Sequence, residues 1–238
     1  MESWIISSLI VLVASILQAC TGFGFSIMAT PFLFLVYEPQ DAIQINIILS
    51  LIISIFMVPK IGKEVDKTLL VKLMKGSIIG LPIGLIIFLF LEVRLLKLVI
   101  SILILLLTLL LMMNLKLKQT KRKDFLAGCF AGTLTTSIGM PGPPLLLYFS
   151  GAGTEKAILR STTLAFYLLI YLISLMMQIF FGGTNLNVWV TSLVLMPITI
   201  CGIFLGQLLF KWINQRIFQI ITYFILGFTG VYLLLENL

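Results

Sequence analysis

The 238-residue sequence is 60% hydrophobic, carries only 11% charged residues and has a net charge of +7. This balance excludes a soluble globular protein, because a surface exposed to water needs more charged side chains. The sequence therefore predicts an all-α polytopic membrane protein, whose Lys and Arg residues lie in short loops and set its orientation rather than bind nucleic acid.

The first half of the chain predicts four apolar helices and one early break. The helices are predicted at residues 4–20, 42–58, 76–91 and 98–114. Runs of roughly 20 apolar residues are long enough to span the ~30 Å of hydrocarbon in a bilayer. A Gly-rich break at 21–26 and a short apolar arm at 27–36 separate the first two helices, and a Lys-rich amphipathic segment is predicted at 59–75.

The second half follows the same plan after a basic linker at residues 116–123. A Gly- and Pro-rich break is predicted at 136–144, and a short arm follows at 145–149. The apolar helices of this half are predicted at residues 125–135, 157–181, 188–210 and 217–235. We therefore divide the chain into a first transmembrane repeat at 1–115, the linker, and a second repeat at 124–238.

An ungapped shift of 115 residues aligns small and kinking residues of the two halves. It places Gly24 on Gly139 and Pro82 on Pro197. In apolar sequence, matches of Pro and Gly at one register are harder to obtain by chance than matches of Leu or Ile. The halves are therefore predicted to be structural repeats; a shared composition is the alternative explanation.

The distribution of Lys and Arg distinguishes parallel from inverted repeats. If each half begins with one kinked span, the halves are parallel, with 10 cations inside the cell and 6 outside. If each half begins with a hairpin of two short helices, the halves are inverted, and the counts become 14 and 2. Cytoplasmic loops favour Lys and Arg. We therefore predict about ten helical segments in two inverted repeats of five, in a prokaryotic plasma membrane, with both termini extracytoplasmic and the linker cytoplasmic.

The two breaks are predicted to form one substrate site. In inverted repeats such tips meet near the membrane midplane, and each begins a helix whose free N–H groups and dipole suit an anion. Glycines would let the backbone approach the ligand, and hydroxyls would donate to its oxygens. The predicted substrate-binding residues are Thr21, Gly22, Gly24, Ser26, Asn46, Thr135, Thr136, Ser137, Gly139, Gly142, Arg160 and Ser161. The alternative is that these small residues only allow close helix packing.

Arg160 is the most informative charge, because it lies four residues into a predicted helix. It would either meet an anion that leaves the cytoplasm or extend to the membrane surface as an ordinary helix-end cation. Gln18, Gln178 and Gln207 are further polar groups at membrane depth, and each of them could simply bond to a neighbouring helix.

Missing residue types disfavour other classes of function. The sequence contains no His, and none of its nine acidic residues lies deep in a predicted span. Cation pumping and metal uptake therefore lack candidate groups, and no P-loop is present for ATP. We predict no enzyme activity, no cofactor and no metal. A non-transporting assembly subunit stays an alternative, and the oligomeric state, a homodimer included, is left open.

The pattern of a Gly-rich break followed by Pro in each half resembles that of the TauE/SafE sulfite exporter family, also called the toluene sulfonate uptake permeases. The resemblance rests on residues 21–24 with Pro31, on 137–144, and on the helix starts at 42–46 and 157–162. It covers nearly the whole chain. It implies a transporter, usually an exporter, of small sulfur-containing anions such as sulfite, sulfonates or sulfoacetate. A cell interior that is negative favours anion exit by ~2.3 kcal/mol per charge per 100 mV, so potential alone could drive export.

Overall fold

The computed structural model describes residues 2–90 and 119–212 without interruption, with isolated positions between 95 and 109 and between 220 and 235. The helices predicted at 98–114 and 217–235 fall outside the continuous ranges. Within those ranges the chain forms eight α-helices, one 3₁₀ turn and no strand. The helices are α1 (Glu2–Thr21), α2 (Gly24–Leu33), α3 (Pro39–Ile61), α4 (Lys67–Phe90), α5 (Lys121–Ile138), α6 (Gly142–Gly151), α7 (Lys156–Gly182) and α8 (Leu186–Trp212).

The outer surface of the described helices is largely apolar, as a bilayer requires, and many polar side chains are buried. Five of these helices, α1, α3, α4, α7 and α8, are long and apolar enough to cross a membrane. Large apolar side chains face outward, with exposed fractions of 66% for Ile78, 78% for Phe180 and 69% for Leu193. Ser, Thr and Gln side chains are buried between the helices instead. This confirms the predicted polytopic helical membrane protein, because helices satisfy their own backbone groups in lipid.

The Lys-rich stretch at 59–75 is not a separate segment, and that prediction is wrong. α3 continues through Pro59 to Ile61, a 3₁₀ turn follows at Gly62–Glu64, and α4 already begins at Lys67. The Asp66 carboxylate accepts a hydrogen bond from the Leu69 N–H (2.9 Å), which satisfies a free donor of the first turn of α4. The Lys residues of this stretch therefore lie at the polar ends of the membrane helices α3 and α4 and in the turn between them.

Both predicted breaks exist, but each is shorter than the sequence suggested. α1 and α2 are separated only by Gly22 and Phe23, and α5 and α6 only by residues 139–141. Ser26 therefore lies within α2, and Pro143 and Pro144 lie in the first turn of α6, where a missing N–H leaves no intrahelical bond unmade. The chain reverses at Gly22 and Gly139, two residues away from the 115-residue register, which pairs Gly24 with Gly139.

α4 and α5 pack so closely that only glycine fits between their backbones. A methyl group on Gly76 would meet the Phe125 carbonyl, and one on Gly80 would meet the Cys129 carbonyl. Further along, Gly84 lies against Thr133. Because the residue numbers rise together on both helices, α4 and α5 run parallel. Small residues permit this approach in membranes.

α1 and α8 form the matching pair. Gly202 packs against Ser15, and Gly206 packs against Ile16 and Ala19, so these two helices also run parallel. Each pair therefore joins the first described helix of one half to the fourth of the other half. Such contacts between the halves are called crosswise below.

α3 and α7, the third helix of each half, run in opposite directions. At one end, the Gln44 amide donates to the Gly183 carbonyl (2.8 Å), and Asn185 donates to Asp41 (2.8 Å). At the other end, where α3 has finished, the Asp66 N–H donates to the Thr162 hydroxyl near the start of α7 (3.0 Å). Corresponding helices of the two halves are therefore antiparallel.

The described basic residues gather at one end of the helices. Lys72 near the start of α4 pairs with Asp124 near the start of α5 (3.0 Å). Lys60 at the end of α3 and Lys156 at the start of α7 lie 5.1 Å and 4.9 Å above rings on the last turns of α8. The starts of α4, α5 and α7 thus meet the ends of α3 and α8 at one basic face.

Candidate functional site

Each break is a chain reversal at the tip of a helical hairpin and is built on a glycine in the left-handed conformation. The first tip, Gly22 and Phe23, joins α1 to α2, and the second tip, residues 139–141, joins α5 to α6. Gly22 has φ +90° and Gly139 has φ +73°. Most side chains avoid these angles, and glycine adopts them without strain. The Gly139 and Met140 N–H groups return to carbonyls of α5 (2.8 and 3.1 Å), which closes the end of that helix. The sequence therefore specifies both tips through a single residue type.

Each tip packs against the third helix of the opposite half. A methyl group on Gly22 would lie 2.9 Å from the Arg160 Cα on α7. A methyl group on Gly139 would lie 2.5 Å from the Asn46 amide nitrogen on α3, and that amide donates to the Gly139 carbonyl (2.9 Å). The predicted site residues Gly22 and Arg160, and likewise Gly139 and Asn46, are therefore brought together in pairs.

The two tips also meet each other. A methyl group on Gly142, the first residue of α6, would lie 3.2 Å from the Phe23 carbonyl and 3.1 Å from the side chain of Ile27. Phe23 is the residue immediately before α2. The starts of α2 and α6 thus approach one another inside the protein, in the arrangement that an anion site between two helix N-termini needs.

The two N-termini do not offer equal numbers of donors. The residue before α2, Phe23, makes no side-chain capping bond to the N–H groups of the first turn, which starts at Gly24. In α6 the second and third positions are Pro143 and Pro144, which have no N–H. Most of the backbone donors at this site therefore belong to the first tip.

Arg160 is buried beneath the first tip and does not extend into solvent. It is 5% exposed, and its guanidinium lies 4.1 Å above the Phe210 ring. Its Nε donates to the Ala19 carbonyl (2.8 Å), one of the free carbonyls at the end of α1. Its Nη2 has no hydrogen-bond partner among the described residues. Arg160 thus holds the broken end of α1 and keeps one donor free.

A family comparison agrees with this geometry. The model of the sulfite exporter TauE/SafE family matches residues 7–233, nearly the whole chain. The chain belongs to this family. The match confirms the resemblance inferred from the two breaks, and it makes the protein a membrane transporter of sulfite-type anions rather than an enzyme. A search of curated proteins returned no match.

The remaining predicted residues of this TauE/SafE transporter are buried near the tips, but most of their hydroxyl donors are already used. Each of these hydroxyls donates to a carbonyl three or four residues earlier in its own helix, as membrane helices permit. The bonds are Thr21 to Leu17 (2.7 Å), Thr135 to Ala131 (2.6 Å), Thr136 to Gly132 (3.5 Å), Ser137 to Thr133 (2.8 Å) and Ser161 to Ile158 (3.2 Å). Gly24 packs within the first hairpin, with a methyl group there 2.7 Å from Leu17 Cβ.

Two tyrosines that sequence reasoning did not select lie between the tips. The Tyr171 hydroxyl shares a hydrogen bond with the Ser26 hydroxyl (2.6 Å) and lies 3.4 Å from the Gly139 carbonyl, so it touches both hairpins. The Tyr167 hydroxyl would lie 3.1 Å from a methyl group on Gly142 and has no described hydrogen-bond partner. The available signal was their spacing of four residues, which places both on the face of α7 that carries Arg160.

The three glutamines predicted at membrane depth bond to neighbouring helices, which was the structural alternative to a role in the site. Gln178 donates to the Thr136 carbonyl (2.8 Å) and Gln18 to the Ser50 carbonyl (3.4 Å). The Gln207 amide lies 3.0 Å from the Met57 sulfur. The carbonyl oxygens of Gln18 and Gln178 have no partner among the described residues.

Proposed function

We propose that this chain exports a small sulfur-containing anion, of the sulfite, sulfonate or sulfoacetate type, through a site between the two tips. The observation that carries the proposal is the meeting of three features at one buried place. These are the uncapped start of α2, the free Nη2 of Arg160, and the start of α6 beside Phe23. Together they provide hydrogen-bond donors and one positive charge, which is what an oxyanion requires.

The inverted repeat is the second part of this proposal. A two-fold axis in the membrane plane would reverse the direction of every helix, and an axis along the membrane normal would preserve it. The antiparallel course of α3 and α7, together with the crosswise α4–α5 and α1–α8 pairs, supports the first arrangement. The helices predicted at 98–114 and 217–235 would then complete two sets of five.

The basic face supports a cytoplasmic location for the starts of α4, α5 and α7. Both termini and the loop between α2 and α3 would then lie outside the cell. An anion that enters from the cytoplasm would meet Arg160 first, because Arg160 lies in the first turns of α7. Export down the membrane potential would release ~2.3 kcal/mol per charge per 100 mV, so no coupling ion is required.

Efflux from proteoliposomes loaded with sulfite or sulfoacetate, with and without an inside-negative potential, tests the proposal. We expect efflux that rises with the potential and falls at least tenfold in Arg160→Ala, because the charge-assisted bond to the anion is lost. Lys156→Ala is the matched control, since Lys156 lies over the same Phe210 ring. Ser137→Ala should slow efflux less, because the Ser137 hydroxyl already donates to the Thr133 carbonyl (2.8 Å).

Three outcomes would contradict the proposal. No efflux of any sulfur anion from folded wild-type protein would refute transport of this class. A wild-type rate in Arg160→Ala would remove Arg160 from the site. Equally fast efflux of chloride or nitrate would replace the sulfur specificity with a general permease for small anions.

A further inference from the structure

One face of α7 is polar along the length of the helix. The residues that form it are spaced three or four apart, which places them on a single helical face. They are Arg160, Thr163, Tyr167, Tyr171, Ser174 and Gln178. All six are at most 5% exposed. The neighbouring face carries Leu172, Ile173 and Met176, which are 47%, 39% and 50% exposed and therefore face lipid.

This polar face is rich in groups without partners. Five of its six side chains have a buried polar atom with no hydrogen bond among the described residues. These atoms are Arg160 Nη2, Thr163 Oγ1, Tyr167 OH, Ser174 Oγ and Gln178 Oε1. A buried polar atom without a partner is costly in a folded protein. A continuous row of such atoms is unfavourable for packing alone and favourable for a passing ligand.

The row passes both tips in order. Arg160 lies under Gly22 of the first tip, and Tyr167 lies beside Gly142 of the second. Tyr171 contacts both hairpins, through Ser26 and the Gly139 carbonyl. The row begins at the basic face and ends near the other end of α7.

We propose that the polar face of α7 lines the path of the transported anion and that the path selects singly charged anions. The inference rests on the proposed export function and adds its route and its charge preference. Arg160 is the single cation on this face, and the sequence places no charged residue within 98–114 or 217–235. A second negative charge would stay uncompensated in a low-dielectric interior, which is costly. Monoanions such as methanesulfonate and hydrogen sulfite fit the face, and dianions such as sulfate and sulfoacetate do not. The charge preference therefore narrows the proposed substrates to hydrogen sulfite and simple sulfonates.

Cysteine labelling tests the route. Single cysteines at Thr163, Ser174 and the lipid-facing control Leu172 are placed in a background where Cys20, Cys129 and Cys201 are alanine. A membrane-impermeant anionic methanethiosulfonate should label Thr163→Cys and Ser174→Cys during transport, and methanesulfonate should slow that labelling. Leu172→Cys should stay unlabelled from water. Labelling that is equal at all three positions, or absent from both positions on the polar face, would overturn the route.

Hydroxyl removal in the native-cysteine protein gives an independent measure. Tyr167→Phe and Thr163→Val should each lower methanesulfonate efflux about tenfold, since each loses a hydrogen bond to a charged ligand. Thr199→Val is the matched control, because Thr199 on α8 is also buried but donates to the Leu195 carbonyl in its own helix. Efflux equal to wild type in both variants on the α7 face would overturn the proposal.

The charge preference separates this inference from the proposed function. Methanesulfonate efflux should exceed sulfate efflux at least tenfold, and sulfite efflux should rise as pH falls and hydrogen sulfite accumulates. Equal rates for monoanion and dianion would overturn the charge preference while leaving sulfur-anion export intact. Substrate-protected labelling of the α7 face without efflux of any sulfur anion would instead refute the export function.

Discussion

The two broken hairpins share one backbone plan but differ in chemistry. In both, a long helix ends at a left-handed glycine and a ten-residue helix returns. The first hairpin starts α2 without a cap, beside the buried Arg160. The second closes the end of α5 with backbone bonds and starts α6 with two prolines. We infer that the first tip supplies most of the donors and the second supplies a rigid wall.

The hairpins also differ in the side-chain hydrogen bond, here called the tie, that links the open ends of each hairpin. In the first, the Ser7 and Tyr37 hydroxyls share a neutral hydrogen bond (3.1 Å). In the second, Tyr148 donates to the buried Asp124 carboxylate, which also pairs with Lys72 (3.0 Å). The tie at the basic face is therefore charged and the tie at the opposite end is not. Hydrogen bonds to charged groups are the stronger kind.

The largest expected effect comes from Gly22→Ala. Alanine would be strained at φ +90° by about 1–2 kcal/mol, and its methyl group would lie 2.9 Å from the Arg160 backbone, where overpacking costs about 1–3 kcal/mol more. We expect a lower thermal unfolding midpoint in detergent and efflux reduced at least tenfold.

Gly153→Ala is the matched control for that strain. Gly153 also has positive φ (+69°), but no atom lies within 4 Å of an added methyl group. It should lose only the strain term, about 1–2 kcal/mol, and keep transport. Equal losses in the two variants would show that packing against Arg160 does not matter at the first tip.

An intermediate effect is expected at the two ties. Asp124→Asn keeps an acceptor for Tyr148 but removes the charge that pairs with Lys72, so the free energy of unfolding should fall by about 1–3 kcal/mol. Ser7→Ala removes a neutral bond and should cost less than about 1 kcal/mol. Thermal or denaturant unfolding in detergent measures both. A larger loss in Ser7→Ala would reverse the comparison between the hairpins.

The smallest effect is expected from Pro143→Ala, which restores one N–H to the start of α6. The unfolded chain gains freedom, so stability should fall by only about 0.4–1 kcal/mol. Sulfite affinity, measured by ligand-dependent thermal shift, should rise less than about tenfold, because a net hydrogen bond contributes about 0.5–1.5 kcal/mol. An affinity gain of a hundredfold would make the second tip an equal partner in binding.

The order of the helices and the position of both breaks were predictable from the sequence, because Gly and Pro interrupt apolar runs for clear steric reasons. Their exact bounds were not. Pro143 and Pro144 disrupt a helix interior but fit a first turn, so α6 begins earlier than the composition indicated. Likewise, the Lys-rich stretch after Pro59 belongs to the polar ends of α3 and α4.

The site was predictable in part. Glycine pointed to both reversals, and Arg160 stood out as a charge within an apolar run. Tyr167 and Tyr171 were missed, because tyrosines in apolar sequence usually indicate ordinary packing. The hydroxyl partners were also hidden: a sequence does not show that Thr135 and Ser137 bond to their own helix. Such bonds depend on rotamers that only the packed structure defines.

The glycine contacts between α4 and α5 have a mechanical consequence. A protein built as two separable halves would open by hinging at the linker. Here each half contributes one helix to each of the closely packed pairs α4–α5 and α1–α8, whose backbones are in contact. Rotation of one half against the other would separate these helix pairs. The pairs therefore act as the fixed frame of the transporter, and movement is left to the short helices α2 and α6, which meet at its centre.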